Sequence, residues 1–516
     1  MCYISMSFTA TRPSVNPVPL EPTMAFASLR SIRPSLFAIL GSTVIAVGSG
    51  TTLADDAVTR ELNARMTSSG VRAENMSWKD LFEAYLDMTD CPREIGPDFG
   101  QVDIWPGMDG WGPIEDWAER NKDVAQALQA ATAKTIIGLP YGEDEVDSRH
   151  RDAGLFARVS IEEGADVDIS FPYLQAFRTF AAFTAAEMYR RFEAGEWTEG
   201  FDVALANARV LRQLCDRQML GEKAEAMLML AEAMSVMRDA MWTYVGKMPE
   251  AELQRVSTKE LPFLMVADAE RLKRLQLPEG DALVVQSILD EVFGGMGSPD
   301  PQRLGEVFGA MQADESPLTQ FGATKRWEKI AEFHGSLEAS QQKLVDVYDD
   351  WWRRWRIRPY DPIQEVPSEF SRLNEVRYAI IAESIADLQD LFDLRLQLIA
   401  EINGTIMGAG LCGYRAKYGN WPRDREQAYV TFIPKRFDFD PFDKQYGRFL
   451  FDYLGSSRRA VDTDYGRIYV DECVVYARGA DLENSDFEEA TLDGSTGDMI
   501  LWPPLRALAR EQDLID

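Results

Sequence analysis

Between Pro172 and Met248 apolar residues return every three or four positions, and Gly195 and Gly221 stand where that rhythm breaks. A period near 3.6 held over such a length is a helical signal, and the breaks divide it into three amphipathic helices. The third carries Met227, Leu230, Met234, Met237, Met241 and Tyr244 on one stripe. Such a stripe has to be buried against other helices, so the segment predicts a bundle or superhelical body. The Trp, Leu-Gly and Pro landmarks of the tetratricopeptide repeat are not at their repeat positions.

Further helices are expected on both sides of this segment. Ser77 to Asp80 has the spacing of a capping box opening a helix through Leu86, and Cys91-Pro92 closes it. A glycine-rich loop from Gly96 to Pro113 holds Trp105 and Trp111, which read better as plugs onto a core than as a sugar-stacking platform. Residues 113–137 read as one helix, and the acidic stretch from Gly138 to Pro172 as a short strand or hairpin. Helices are then expected from Ser257, with a second capping box to Glu260, to Leu275; from Gly280 to Phe293; and from Thr319 to Arg356.

After the linker prolines Pro359, Pro362 and Pro367, a long helix is expected from about Ser371 to Tyr418, with Gly404, Gly408 and Gly410 marking a kink or a close approach. Beyond Gly419 the period changes to two, giving short strands at 428–433, 446–453, 467–470 and 473–477. The fold class expected is mainly α: a multi-helix bundle or superhelical body over 55–370, with a small C-terminal α+β unit, a long helix plus antiparallel sheet, over 371–516.

Residues 1–54 have a different character. From Met24 a short basic stretch (Arg30, Arg33) precedes an apolar run from Leu36 to Val47 and a small-residue ending at Thr52-Leu53-Ala54. This order is that of a secretory signal peptide cleaved after Ala54. The run is shorter than the roughly 18 apolar residues of a membrane span, so no transmembrane anchor is expected after cleavage. Residues 1–23 read as an over-long start. The whole chain carries a net charge of −30, and removal of residues 1–54 leaves 51 basic against 83 acidic residues, a net of −32. A surface of that sign repels phosphate backbones, so no nucleic acid partner is expected.

Cys91, Cys215, Cys412 and Cys473 remain, and the oxidising compartment reached by export permits disulfides among them. Cys215 follows Phe201, Leu205, Ala208 and Leu211 at helical spacing and reads as a buried apolar residue.

One part of the chain resembles a known family. Tyr414-Arg415-Ala416-Lys417-Tyr418-Gly419-Asn420-Trp421-Pro422, then Asp440-Pro441-Phe442, then Val475-Tyr476-Ala477-Arg478-Gly479-Ala480-Asp481 resembles the C-terminal part of the type II secretion major pseudopilin, in which a helix ends at a tyrosine and "G-x-Y-P", "D-P-W/F" and "G-x-D" turns follow. The resemblance covers roughly residues 400–500, and the body is similar to exported bacterial proteins that join helical hairpins to such an ending. Over 300 residues separate this part from the apolar run, which lacks the pseudopilin's processing-site glutamate, so a pilus subunit is not implied. The resemblance implies a calcium ion in the loop from Asp481 to Asp498, with Asp481 and Asp498 as metal ligands. Glu483, a further candidate metal ligand, and Asp486 are extra oxygen donors without a counterpart in that family, Glu483-Asn484-Ser485 replaces the usual double glycine, and a solvated acidic loop is the plainer alternative. It also implies that Cys412 and Cys473 approach within bonding distance if the helix packs on the sheet as in that family.

Catalytic motifs are few. With two histidines, His150 and His334, a three-histidine zinc site is impossible. There is no phosphate-cradling Gly-Lys loop and no nucleophile elbow. In Asp349-Asp350-Trp351-Trp352-Arg353-Arg354-Trp355-Arg356 the acids and tryptophans permit a sugar-binding cleft, but a packed aromatic face with arginines stacked on it is the plainer expectation. The methionine stripe likewise reads as gap-filling core rather than a copper site. No catalytic residue and no organic cofactor is expected. The leading expectation is a non-catalytic exported scaffold or partner-binding protein of the cell envelope; the alternative is an envelope polysaccharide hydrolase or lyase using paired carboxylates.

Overall fold

The computed structural model describes residues 55–66, 71–92, 100–161, 167–265, 275–311, 317–357, 361–443 and 447–515, and the predicted leader at 1–54 lies outside them. The chain is mainly helical with a small three-stranded antiparallel sheet near its C-terminus. Helices α1 (Asp55–Met66), α2 (Trp78–Leu86), α3 (Trp111–Arg120), α4 (Asp123–Thr132) and α5 (Ser148–Asp152) lead into a hairpin of β1 (Arg158–Ile161) and β2 (Val167–Ser170). That hairpin is where a short strand pair was expected.

Two details of this segment differ from the sequence reading. The expected single helix over 113–137 is two, α3 and α4, because the Asn121 side chain donates to the Trp117 carbonyl (2.8 Å) and to Thr89 Oγ1 (2.9 Å) and so ends α3. Ser77 does not close a capping box; its hydroxyl donates to the Ile136 carbonyl (3.4 Å), a cross-chain partner invisible to local spacing.

The three predicted amphipathic helices follow as α6 (Leu174–Glu193), α7 (Trp197–Leu214) and α8 (Leu220–Thr243). Gly195, at φ +77°, supplies the left-handed turn between the first two. The methionine stripe of α8 is buried core. Helix α9 (Glu250–Arg255) then continues without a break through a π turn (Val256–Glu260) into α10 (Leu261–Met265). Ser257 is therefore no N-cap: its hydroxyl donates back to the Gln254 carbonyl (3.3 Å), and the expected helix end at Leu275 lies beyond undescribed residues. Helix α11 (Gly280–Phe293) has its predicted bounds, and α12 (Pro301–Met311) was not anticipated. The helix expected over 319–356 is two, α13 (Pro317–Ala331) and α14 (Leu337–Arg356), since Ser336 accepts from the Ala339 N–H (3.2 Å) and starts a new one.

The C-terminal part is bounded differently as well. After α15 (Pro362–Glu365), Asn374 accepts from the N–H groups of Val376 and Arg377, an Asx turn, so the long helix cannot start at Ser371. Helix α16 (Ala379–Ser384) is separate, and the long helix is α17 (Gln389–Tyr418), ended by Gly419 at φ +77° whose N–H donates to the Arg415 carbonyl (2.8 Å). The strand expected at 428–433 is a helical turn, α18 (Glu426–Tyr429), nucleated by Asp424 accepting from the Glu426 N–H (3.0 Å). The remaining strand candidates merge into β3 (Leu450–Thr463) and β4 (Gly466–Ala477), the break read between 470 and 473 being Glu472 at φ 63°, which lies opposite a bulged stretch of β3 between Tyr453 and Arg459. A third strand, β5 (Met499–Trp502), and a final helix, α19 (Leu505–Glu511), complete the chain.

The sheet has the order β3-β4-β5 and is antiparallel throughout. Its alternation is legible in burial: Cys473, Val475, Ala477, Met499 and Leu501 join the main core with α17, whereas Val474, Tyr476 and Ile500 join a smaller cluster under Leu505, Leu508 and Ala509 of α19. One cluster of buried residues holds side chains from Val58 to Trp502, on both sides of residue 370. Helix α17 lies along α8, and its glycines permit a close approach rather than a kink: a Cβ on Gly404 would stand 2.7 Å from Leu501, and one on Gly408 2.7 Å from the Trp502 ring.

Candidate functional site

Burying a charge costs several kcal/mol unless partners restore what water gave, so interior charges mark either structural joints or chemistry. The first concentration is the corner between α7 and α8. Glu222, fully buried, accepts from the hydroxyls of Tyr141 (2.5 Å) and Tyr173 (2.6 Å) and from Arg217 Nε (3.0 Å), while the Arg217 guanidinium stacks 4.0 Å from the Tyr141 ring. Asp281 of α11 caps α8 by accepting from the Leu220 N–H (2.9 Å), and burial pushes its carboxyl up to about 6. Lys223 donates to the Cys215 carbonyl, and burial brings its amine down to about 8. Glu222, Arg217, Tyr141, Tyr173 and Lys223 are 0–2% exposed, so this corner is a joint and not a place a substrate reaches.

The second concentration lies where the glycine-rich loop crosses α8 and α19. Arg506 and Arg510, one turn apart on α19, meet Asp239 of α8 at 2.8 and 3.7 Å. Arg506 also donates to Ser235 (3.3 Å), and Arg510 donates to the Val102 carbonyl (2.8 Å) and lies 5.0 Å over the Trp105 ring. Gln101 ties the loop to α8 through the Met229 carbonyl (2.8 Å) and Glu232 (3.2 Å). Burial raises the carboxyls of both Asp103 and Glu232, and Arg506 opposes the rise at each. Both acids, Trp105, Trp111 and Tyr465 are half-buried, and the indole N–H groups of Trp105 and Trp111 are buried without an acceptor among the described residues. These tryptophans pack on the core as the plug reading expected, Trp111 edge-on to Tyr189 (6.5 Å).

The third is the D-P-F turn. Asp438, Asp440 and Asp443 are all buried; Tyr429 donates to Asp438, and Arg478 donates to Asp443 and stands 3.5 Å from Asp440. Asp440 also accepts from the N–H groups of Phe442 (2.9 Å) and Arg478 (3.3 Å), which ties this turn to the loop after β4.

The predicted metal ligands Asp481, Glu483 and Asp498 fall in that loop. Asp481 accepts from the N–H groups of Glu483 (3.0 Å) and Gly497 (3.1 Å), and buried Asp498 accepts from the Ser485 hydroxyl (2.7 Å) and the N–H groups of Ser485 (3.1 Å) and Phe487 (2.7 Å). Glu483 is exposed and enters the loop through its backbone. Among the described residues no group of three or more His, Cys, Asp or Glu side chains is placed to hold a metal ion. Both Asp481 oxygens accept N–H donors and Asp498 Oδ2 takes all three of its donors, while Asp498 Oδ1 is buried without a donor among the described residues.

The other singled-out residues resolve similarly. Asp350 is held by Arg354 (2.8 Å) and the Glu369 N–H (3.0 Å), while Asp349 is exposed, so the pair does not converge. Trp351 and Trp355 are buried, with Arg395 stacked 4.4 Å from Trp355 and Arg356 3.0 Å from the half-exposed Trp352. His150 is buried against Trp78 and Phe82, its ring nitrogens 3.0 Å from Glu83 and 3.1 Å from Asp147. His334 is half-buried, and burial lowers its pKa.

Sequence reasoning missed Asp103, Glu232, Asp239, Arg506 and Arg510. Asp239 and Arg506 are 267 positions apart, and no local period or spacing links them. No family model, characterised protein or solved structure matches the chain.

Proposed function

We propose that this chain is a non-catalytic exported protein whose helical body presents its C-terminal, pseudopilin-like sheet to a protein partner in the cell envelope. The observation that carries the reading is β3, a strand of 14 residues at the edge of the sheet, with Tyr453 of β3 and Tyr469 of β4 more than two-fifths exposed. An edge strand offers unpaired backbone N–H and C=O groups, and an extended segment of a partner satisfies them by adding a strand. The order of residues 24–54 supports export, and the acidic surface favours a basic partner. No helix among the described residues is long and apolar enough to cross a membrane.

One observation favours a second reading. The alternative of polysaccharide hydrolysis finds no converging acids at Asp349 and Asp350, but Asp103 and Glu232 are two half-buried carboxyls, both raised by burial, beside aromatic side chains.

The test places a photo-crosslinking amino acid at Tyr453 of the full chain, made in its own producing cell. The recovered protein is expected to begin at Asp55 and to give one discrete adduct with an envelope protein. The adduct should vanish in Ser457→Pro, which changes the bulged segment of β3 that makes no pairing with β4 and so leaves melting unchanged. No adduct, or one indifferent to the proline, would overturn the reading. Polysaccharide turnover lost in Asp103→Asn would replace it with the hydrolase.

A further inference from the structure

Three contacts set the register of α17 on the sheet. Gly404 lies under Leu501, and Gly408, one turn later, lies under Trp502. Arg415, two turns beyond Gly408, reaches Glu472 at 3.6 Å. Trp502 pairs with Val475, and β4 runs opposite to β5, so moving up the helix from Gly408 moves down β4 from Val475 toward Glu472. One turn above Gly408 on the same face stands Cys412, and two residues below Val475 on the same face of β4 stands Cys473. A helical turn advances about 5.4 Å and two strand residues about 6.8 Å, so the two steps match. Both side chains are buried in the one core, at 3% and 2% exposure, and Cys412 is near enough to help raise the Cys473 thiol.

We infer that Cys412 and Cys473 are a disulfide-forming pair that staples the long helix to the central strand, closed by thiol–disulfide exchange as the chain folds. In the structure both are free thiols. Burial raises both thiols above their ordinary range, so neither is a thiolate once α17 is seated, and the exchange belongs to the interval before the helix docks. The co-reactant is a small-molecule or protein disulfide. One cysteine thiolate attacks it, forming a mixed disulfide and releasing one donor thiol. The second cysteine, having lost its proton, attacks the protein sulfur of that bond and expels the other donor thiol. Two protein thiols are oxidised by two electrons, one donor disulfide is reduced to two thiols, and the two protons end on the donor. Cys215, alone at the α7–α8 corner with its thiol pushed up to about 12, and exposed Cys91 are internal controls.

This inference stands apart from the proposed envelope role, because it is tested on purified protein. The full chain is unfolded in denaturant and reductant, then refolded either in mixed oxidised and reduced glutathione or in a phosphine reductant. Alkylation under denaturing conditions without reductant and peptide mass mapping follow. After refolding in glutathione, the peptides of Cys412 and Cys473 should appear joined and two hydrogens lighter, with Cys91 and Cys215 alkylated or reversibly glutathionylated. The oxidised form should melt about 3–8 °C above the reduced wild type, a comparison that needs no substitution. The double variant Cys412→Ser/Cys473→Ser should melt at one temperature in both buffers. Full alkylation of Cys412 and Cys473 after folding in glutathione, or equal melting of oxidised and reduced wild type, would overturn it.

Discussion

Asp440 is fully buried in the D-P-F turn, and burial pushes its carboxyl from an ordinary 3.8 up to about 6, against the pull of two backbone N–H groups and Arg478. Between about pH 4 and pH 6 the folded chain therefore holds a proton that the unfolded chain has released, so stability falls as pH rises through that window. A shift of this size corresponds to about 2–3 kcal/mol. Asp216, Asp281 and Asp393, each also near 6 through burial, act with the same sign. Urea unfolding at several pH values across the window should show Asp440→Asn losing about 2–3 kcal/mol less than wild type, with the remaining slope belonging to the other carboxyls that burial raises. Equal slopes would mean that Asp440 is charged in the folded chain at all these pH values.

Elements were more legible than sites. The period of the α6–α8 segment and the bounds of α11 were readable because their apolar stripes are also their buried faces. Boundaries failed where a side chain capped a new helix, as Ser336 did for α14, or where an Asx turn at Asn374 pre-empted a helical start. The start of α2 after Ser77 held, although the Ser77 hydroxyl turned to Ile136. Strand β5 was illegible because all four of its residues are buried, which erases alternation. The glycines of α17 carried the right message, a close approach, and it yields a test with two signs. Gly408→Ala would set a Cβ 2.7 Å from the Trp502 ring and should cost about 1–3 kcal/mol. Gly322, inside α13, meets nothing within 4 Å, so Gly322→Ala should stabilise by up to about 1 kcal/mol through helix propensity alone. Equal effects at the two sites, measured by chemical denaturation, would show that α17 does not rest on Trp502.

The body and the sheet are joined by buried charge as well as by apolar contact. Arg238 of α8 pairs with Glu401 of α17, and its guanidinium also donates to Thr405 Oγ1 (2.8 Å) and the Glu401 carbonyl (3.0 Å). Both partners are at most 4% exposed, and burial raises the Glu401 carboxyl against the opposing pull of Arg238. Nearby, Trp242 of α8, Trp421 after α17 and Trp502 of β5 form a three-ring cluster with centroids 5.4–6.3 Å apart. Near-ultraviolet dichroism, to which these rings contribute among the 12 tryptophans, reports tertiary packing, while far-ultraviolet dichroism reports the helices. Because one core spans both sides, the two signals should give coincident transitions in urea. Glu401→Gln leaves the Arg238 charge buried without its counter-ion and should lower stability by about 3–5 kcal/mol in both signals together. Replacing the pair by Arg238→Met and Glu401→Leu removes both charges and should cost less than half of that, since desolvation no longer opposes burial. A near-ultraviolet transition that moves in Glu401→Gln while the far-ultraviolet one stays in place would instead mean that the sheet unit unfolds from an independent helical body.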